Sequence, residues 1–325
     1  MSELAGERVL VTGGAGFIGS HVVGALLERG ARVVVIDNFS TGSRENLLRY
    51  EGGLGFRLIE ADITSSLWPS LFAAQQDEPI DRIIHLAAQT SVPRSLVKPL
   101  EDIQINQVAT LQLLEFARCS GVKKIVFASS AATYGDLEAE QMREDMPTSP
   151  LSPYGLNKLT SEGWLRVYAL HYAVPAVSLR FFNVFGPRQD PRSPYSGVIS
   201  LFLQRALLGQ ELLIFGDGRQ TRDFVFVEDI VQALLLGCFG PVSRGESINV
   251  GTGRAVTITR LAELVMSLCE SPSRLRYAEA RAGEIKHSCA DISMARHLLG
   301  YQPTVSVEEG LSRTLEWLQE GMGEM

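Results

Sequence analysis

Along the first 180 residues, short apolar runs rich in β-branched side chains alternate with longer stretches whose apolar positions recur every three or four residues. The runs fall at 8–12, 31–36, 56–60, 81–86, 124–128 and 174–181. Continuous apolar character over so few residues predicts strands covered on both faces. The longer stretches predict helices. One carries Ile18, Val22, Val23, Leu26 and Leu27; another, from about 99 to 119, carries Ile103, Ile105, Val108, Leu111, Leu114 and Phe116. A third opens at Ser152-Pro153, where serine suits the N-cap and proline the first turn. This alternation predicts an α/β fold built on a doubly wound parallel sheet. After residue 181 it stops. Residues 182–195 form a loop rich in proline and polar groups, of a length that usually serves function. Isolated helical patterns follow near 197–208, 227–238, 257–269 and 306–320. The expected organisation is a sheet domain over 1–180, to which a segment at about 222–250 returns, and a smaller, discontinuous C-terminal α/β lobe over 181–325.

Candidate chemistry gathers at the carboxyl ends of the runs. The first is followed by Gly13, Gly14, Gly16 and Gly19, with Phe17 and Ile18 opening the helix. Glycines here let backbone N–H groups approach a pyrophosphate, and the helix N-terminus adds its dipole. The second run leads to Asp37, 18 residues after Gly19, where a dinucleotide fold sets a carboxylate on the adenosine ribose. That acid accepts from both ribose hydroxyls and repels a 2′-phosphate, so NAD rather than NADP is expected. Asn38, Ser40, Thr41 and Gly42 supply small polar groups at the adenosine edge, and Asp62 and Ile63 suit the adenine amino group and ring. Leu86, Ala87, Ala88 and Gln89 fit close passage of the cofactor after the fourth run, whereas His85 reads as a core histidine. Asn106 lies within an apolar helix and needs partners, either on another helix or in the loop at the nicotinamide end. Ser129 and Ser130 end the fifth run. Tyr154 and Lys158 are four apart, on one helix face. An ammonium near a phenol lowers the phenol's pKa and fits it for general base work. Arg222 and Arg281 are the notable cations of the second half, suited to a diphosphate.

Composition narrows the classes. The 325 residues are 45% hydrophobic and 21% charged, ordinary for one large or two closely joined globular domains. A net charge of −7 and no long basic run exclude a nucleic-acid binder that works through bulk charge. No uncharged apolar stretch of about 18 residues argues for a membrane span, and the N-terminus lacks the basic and apolar regions of a secretory signal. Cys119, Cys238, Cys269 and Cys289 show no metal-ligand spacing and read as reduced thiols of a cytoplasmic protein.

The ordered set GGAGFIG, Asp37, Asp62-Ile63, Ala87-Ala88-Gln89, SSAATYG, Tyr154-x-x-x-Lys158, RFFNVFGPRQ, GDGRQTRDFVFVEDI and INVGTG resembles the extended short-chain dehydrogenase/reductase family over roughly residues 7–318. Within it the chain is similar to nucleotide-sugar 4-epimerases of the UDP-glucose/UDP-N-acetylglucosamine type. The resemblance implies a Rossmann-like sheet, NAD held throughout the cycle, and a UDP-sugar substrate. It implies Tyr154 as catalytic base, Lys158 as its partner and a ligand of the nicotinamide ribose, and Ser130 as the catalytic hydroxyl. Asn183, Arg222 and Arg281 match the diphosphate contacts, Phe215 the uracil-packing position, and Ser91, Tyr195 and Ser196 sugar contacts. It also implies a homodimer formed through the helices at about 99–119 and 153–172.

Two departures sharpen the subfamily. Related 4,6-dehydratases carry Asp and Glu after the catalytic hydroxyl, and the UDP-xylose-forming decarboxylases commonly carry Glu at the second place. Here these positions are Ala131 and Ala132, which cannot perform acid–base elimination. Ser288 matches the position that gates pocket size, and its small side chain implies room for UDP-GlcNAc/UDP-GalNAc as well as UDP-Glc/UDP-Gal. A UDP-glucuronic acid 4-epimerase and a non-catalytic NAD-binding protein are the alternatives.

Overall fold

A computed structural model describes residues 4–65, 79–137, 139–190, 197–280 and 285–323. Six strands arise from the apolar runs: β1 (Arg8–Thr12), β2 (Arg32–Asp37), β3 (Phe56–Glu60), β4 (Arg82–His85), β5 (Lys124–Ser130) and β6 (Ala176–Phe181). The remaining strands are β7 (Asn183–Phe185), β8 (Leu212–Phe215), β9 (Thr221–Phe226), β10 (Arg244–Val250), β11 (Ala255–Thr257), β12 (Leu275–Ala278) and β13 (His287–Ser288).

Seven strands make one sheet in the order β10-β6-β5-β4-β1-β2-β3, every pairing parallel. Side-chain alternation divides its core in two. Val9, Val11, Val33, Val35 and Val126 pack under the helices Phe17–Glu28 and Val227–Phe239. Leu10, Val34, Ile36, Ile83, Ile125 and Phe127 pack under Ala109–Ser120 and Pro153–His171. Helices on both faces explain why the strands read as continuous apolar runs rather than alternating ones. The strand order reverses between β1 and β4, so the crevice at their carboxyl ends is where such a sheet binds ligands.

β10 pairs with β6 at the edge of the large sheet. β9 instead joins β7, β11 and β13 in a smaller sheet, and β8 pairs with β12. A third core, including Phe185, Phe202, Leu203, Phe224, Phe226 and Leu261, lies in this lobe, and Phe17 and Ile18 pack against it from the first helix.

The helix expected from about 99 to 119 is not uniform. Pro99–Ile103 leads into a π turn at Gln104–Val108 before Ala109–Ser120. The π turn aims the Asn106 carbonyl at two hydroxyls, Thr110 Oγ1 at 2.8 Å and Ser161 Oγ at 2.9 Å. π turns of this kind frequently mark functional sites. The helices Val92–Val97 and Ser293–Leu299 were not evident in the apolar pattern, being too short to establish a period.

Candidate active site

The glycine turn after β1 is closed by contact. Gly13 has φ +71°, and a Cβ on it would stand 2.7 Å from the Ala87 amide nitrogen. A Cβ on Gly19 would meet Gly13 O at 2.1 Å. Gly16 is the N-cap of the first helix and offers no side chain, so that turn's N–H groups are left for a ligand. Asp37 ends β2 nearly buried. It accepts from Ala15 N and Phe39 N, both at 2.8 Å, and burial pushes its carboxyl above the usual range. Two bonds leave carboxylate lone pairs free for ribose hydroxyls. Gly42 lies against Ala15, where a Cβ would come within 2.8 Å of the Ala15 carbonyl carbon. Asn38, Ser40 and Thr41 are exposed beside it. Asn38 donates to Asp62 at 2.8 Å; with the Thr64 bonds this outweighs partial burial and holds the Asp62 carboxyl below its ordinary value. Ile63 is buried. The cradle, with its Cβ-sized clearances and free carboxylate capacity, fits a dinucleotide.

After β4, Leu86 N donates to Thr12 O and Ala87 N to Thr12 Oγ1, leaving Leu86, Ala87 and Ala88 half-buried along the crevice. His85 is a core residue: it bonds Thr12 at 2.7 Å and Thr110 at 3.0 Å, and burial lowers its pKa to about 3. Gln89 and Asn106 turn inward rather than toward the crevice. Asn106 accepts from Gln89 N at 3.0 Å and donates to Gln89 O at 2.9 Å, so its side chain pins the loop after β4, while its main-chain carbonyl accepts from Ser161 on the neighbouring helix. Ser91 is buried as the N-cap of Val92–Val97, accepting from Arg94 N at 3.1 Å.

Ser130 ends β5 and caps a 3₁₀ turn, Ala131–Thr133, by accepting from Ala132 N at 3.2 Å. Tyr154 stands in the first turn of Pro153–His171, capped by Ser152, with its phenol close enough to the Ser130 hydroxyl to be influenced by it. Gly155 allows this approach, since a Cβ there would be 2.5 Å from Ala132 O. Lys158 is buried below, donating to Ala128 O at 2.8 Å, with its ammonium 4.6 Å from the Phe127 ring centre and 6.0 Å from that of Tyr154. One expectation is corrected: the protein's own groups do not lower the Tyr154 pKa. Burial raises it, the Ser130 hydroxyl lowers it, and the charge of Asp102 raises it again. Burial likewise brings Lys158 down to about 8, against the pull of Asp102 and Glu162. Desolvation is the largest influence on both groups.

Asn183 opens β7 and donates to Asp223 O at 3.3 Å. Arg222 and Ser288 are directly opposite one another across β9 and β13, and Phe215 ends β8, half-buried. These four are thus carried by the smaller lobe's sheets. Tyr195, Ser196 and Arg281 lie outside the described residues. Sequence reasoning missed Asp102, Asn157 and Glu162. Asp102 is one turn before Asn106, and Glu162 is one turn after Lys158, spacings that signal a shared face only once the helix is known.

A glycine turn, an acid at the end of β2 and a serine–tyrosine–lysine set along one crevice are the features of a nucleotide-dependent enzyme of the short-chain dehydrogenase/reductase class. The chain belongs to the NAD dependent epimerase/dehydratase family, whose profile matches residues 9–251. It is 40% identical over 313 residues to a UDP-glucose 4-epimerase of Mycolicibacterium smegmatis, covering 96% of this chain and 98% of that protein. A UDP-N-acetylglucosamine 4-epimerase from Methanobrevibacter ruminantium, solved with UDP-N-acetylmuramic acid, superposes with TM-score 0.91 at 38% identity over 98% of this chain and 100% of that one. A Thermus thermophilus UDP-glucose 4-epimerase solved with NAD gives TM-score 0.86 at 36% identity, over 96% and 99%.

Proposed function

We propose that this protein is a UDP-sugar 4-epimerase acting on UDP-GlcNAc/UDP-GalNAc and also on UDP-Glc/UDP-Gal. The observation that carries the reading is the placement of Tyr154 beside Ser130 and above buried Lys158, with Ala131 and Ala132 in the adjoining turn. Gly13, Gly16, Gly19 and Asp37 would hold NAD, which would supply a reversible hydride acceptor when bound. Tyr154 takes the proton from the sugar 4-hydroxyl and later returns it. Ser130 shares a hydrogen bond with the same oxygen on both legs. Lys158, fixed by Ala128 O, keeps positive charge under the phenol and bonds the nicotinamide ribose. No acid or base stands at Ala131 or Ala132 to drive elimination, so oxidation is followed by re-reduction at the same carbon. In this reading Asn183, Arg222 and Arg281 are assigned to the diphosphate, Phe215 to the uracil, and Ser91, Tyr195 and Ser196 to the sugar.

Ser288 sets the sugar range. It is buried on β13, opposite Arg222, with a side chain too small to crowd an acetamido group. The substitution Ser288→Tyr should abolish turnover of UDP-GlcNAc and spare UDP-Glc; equal turnover of both would refute the size gate. The protein acts as a homodimer in this reading. Leu156, Gly163, Val167 and Leu170 form an exposed stripe along Pro153–His171, and Leu96, Val97 and Leu100 extend the apolar surface on the adjoining helices. Such a stripe suits a four-helix interface.

A further inference from the structure

We propose that Asp102 is a positioning residue for the Tyr154–Lys158 pair: a buried anion that clamps three segments around the pair and whose charge is balanced at a distance by Lys158. The inference rests on the catalytic reading of that pair and deepens it. Asp102 is fully buried. Its Oδ1 accepts from Gln89 Nε2 at 2.7 Å and Asn106 Nδ2 at 2.9 Å, and its Oδ2 from Asn157 Nδ2 at 2.7 Å. One carboxylate therefore ties the loop after β4, the π turn and the residue next to Lys158 on the catalytic helix. All three donors are neutral amides. Among the described residues neither Asp102 nor Lys158 makes an ion pair, although both are buried. Burying an unpaired charge is costly, so two such charges of opposite sign, tied through adjacent residues, stabilise one another.

The other charged or titratable groups around Lys158 are committed elsewhere. Glu162, on the same helix, is held bidentately by Arg180 of β6 at 2.9 and 2.7 Å and accepts from Ser129 and Ser247. His85 of β4 is neutral between Thr12 and Thr110. Tyr154, on the same helix as Lys158, lies beside Ser130 of β5. Asp102, from Pro99–Ile103, is the carboxylate among these that has no cation bonded to it. Its negative charge favours the Lys158 ammonium and disfavours the Tyr154 phenolate.

The chain holds five lysines (Lys98, Lys123, Lys124, Lys158 and Lys286), so each can be followed by ¹³C-lysine NMR, with Lys158 assigned by its loss in Lys158→Arg. Asp102→Asn should move the Lys158 midpoint down by about half a pH unit or more. Both limbs of the epimerase pH–rate profile should move to lower pH with it, because Tyr154 and Lys158 shift in the same direction. A Lys158 midpoint unchanged in Asp102→Asn overturns the electrostatic role. The NMR arm needs no substrate, so absence of epimerase activity in the wild-type protein would sink the catalytic reading without touching this one. Asn157→Ser keeps the charge, removes one clamp bond and serves if Asp102→Asn does not fold. It should lower kcat about tenfold and leave the pH limbs in place. An unchanged kcat in that variant overturns the clamp.

Discussion

Replacing Gly155 by alanine sets two effects of known size against each other. In a helix interior Gly→Ala gains up to about 1 kcal/mol. At this position the new Cβ would stand 2.5 Å from Ala132 O, 3.2 Å from Ala132 C and 3.1 Å from Pro150 Cβ. Ordinary contact requires the helix and the 3₁₀ turn to part by roughly 0.7 Å, and overpacking of this kind costs about 1–3 kcal/mol. The net destabilisation is therefore modest, about 0–3 kcal/mol. Activity responds more sharply, because the displaced turn is the one that Ser130 caps through Ala132 N, and Tyr154 precedes Gly155 on the helix. A shift approaching 1 Å between reacting groups costs on the order of 10–100-fold in rate. Gly155→Ala should thus lose about that factor in kcat for UDP-sugar epimerisation while its melting temperature moves by a few degrees at most. A variant that turns over within twofold of wild type would refute the claim that this contact sets the Ser130–Tyr154 geometry.

Further outcomes follow from the same geometry. Tyr154→Phe removes the proton carrier but retains the ring, so epimerisation should fall about 10²–10⁴-fold with the thermal transition little changed; near-normal turnover would remove Tyr154 from its role. Lys158 makes activity and stability diverge with pH. Its folded pKa of about 8 lies below the ordinary lysine value of 10.5, so the unfolded chain binds more protons between those values and stability gains a rising contribution across that window. The ammonium is lost over the same window, so turnover should decline as pH rises through about 8, measurable by parallel denaturant titrations and initial rates.

The cofactor turn was legible because its determinants are local. Gly13, Gly16, Gly19 and Asp37 fall within one strand–helix–strand unit, and Gly16 and Gly19 answer contacts inside it, whereas Gly13 answers one with Ala87 after β4. The six buried strands were legible for the same reason. The support behind the catalytic pair was not. Asp102 sits in an ordinary helical pattern, and its three partners come from residues 89, 106 and 157. The π turn is likewise tied to a bond that no local pattern reports, from Ser161 on another helix to the Asn106 carbonyl. The Tyr154–Lys158 spacing was correctly read as one helix face, yet the expected lowering of the phenol's pKa failed because spacing does not report burial, and desolvation is the largest influence on both groups.

The central claim is oxidation and re-reduction at one carbon with the cofactor retained. Its most direct test is to incubate the purified protein with UDP-GlcNAc, resolve the nucleotide sugars at intervals, and follow reduced nicotinamide by absorbance. The account predicts UDP-GalNAc approaching a fixed ratio with UDP-GlcNAc, the same ratio from either side, and no net release of NADH. Stoichiometric NADH with an oxidised sugar, or a dehydrated product in place of the 4-epimer, would contradict it.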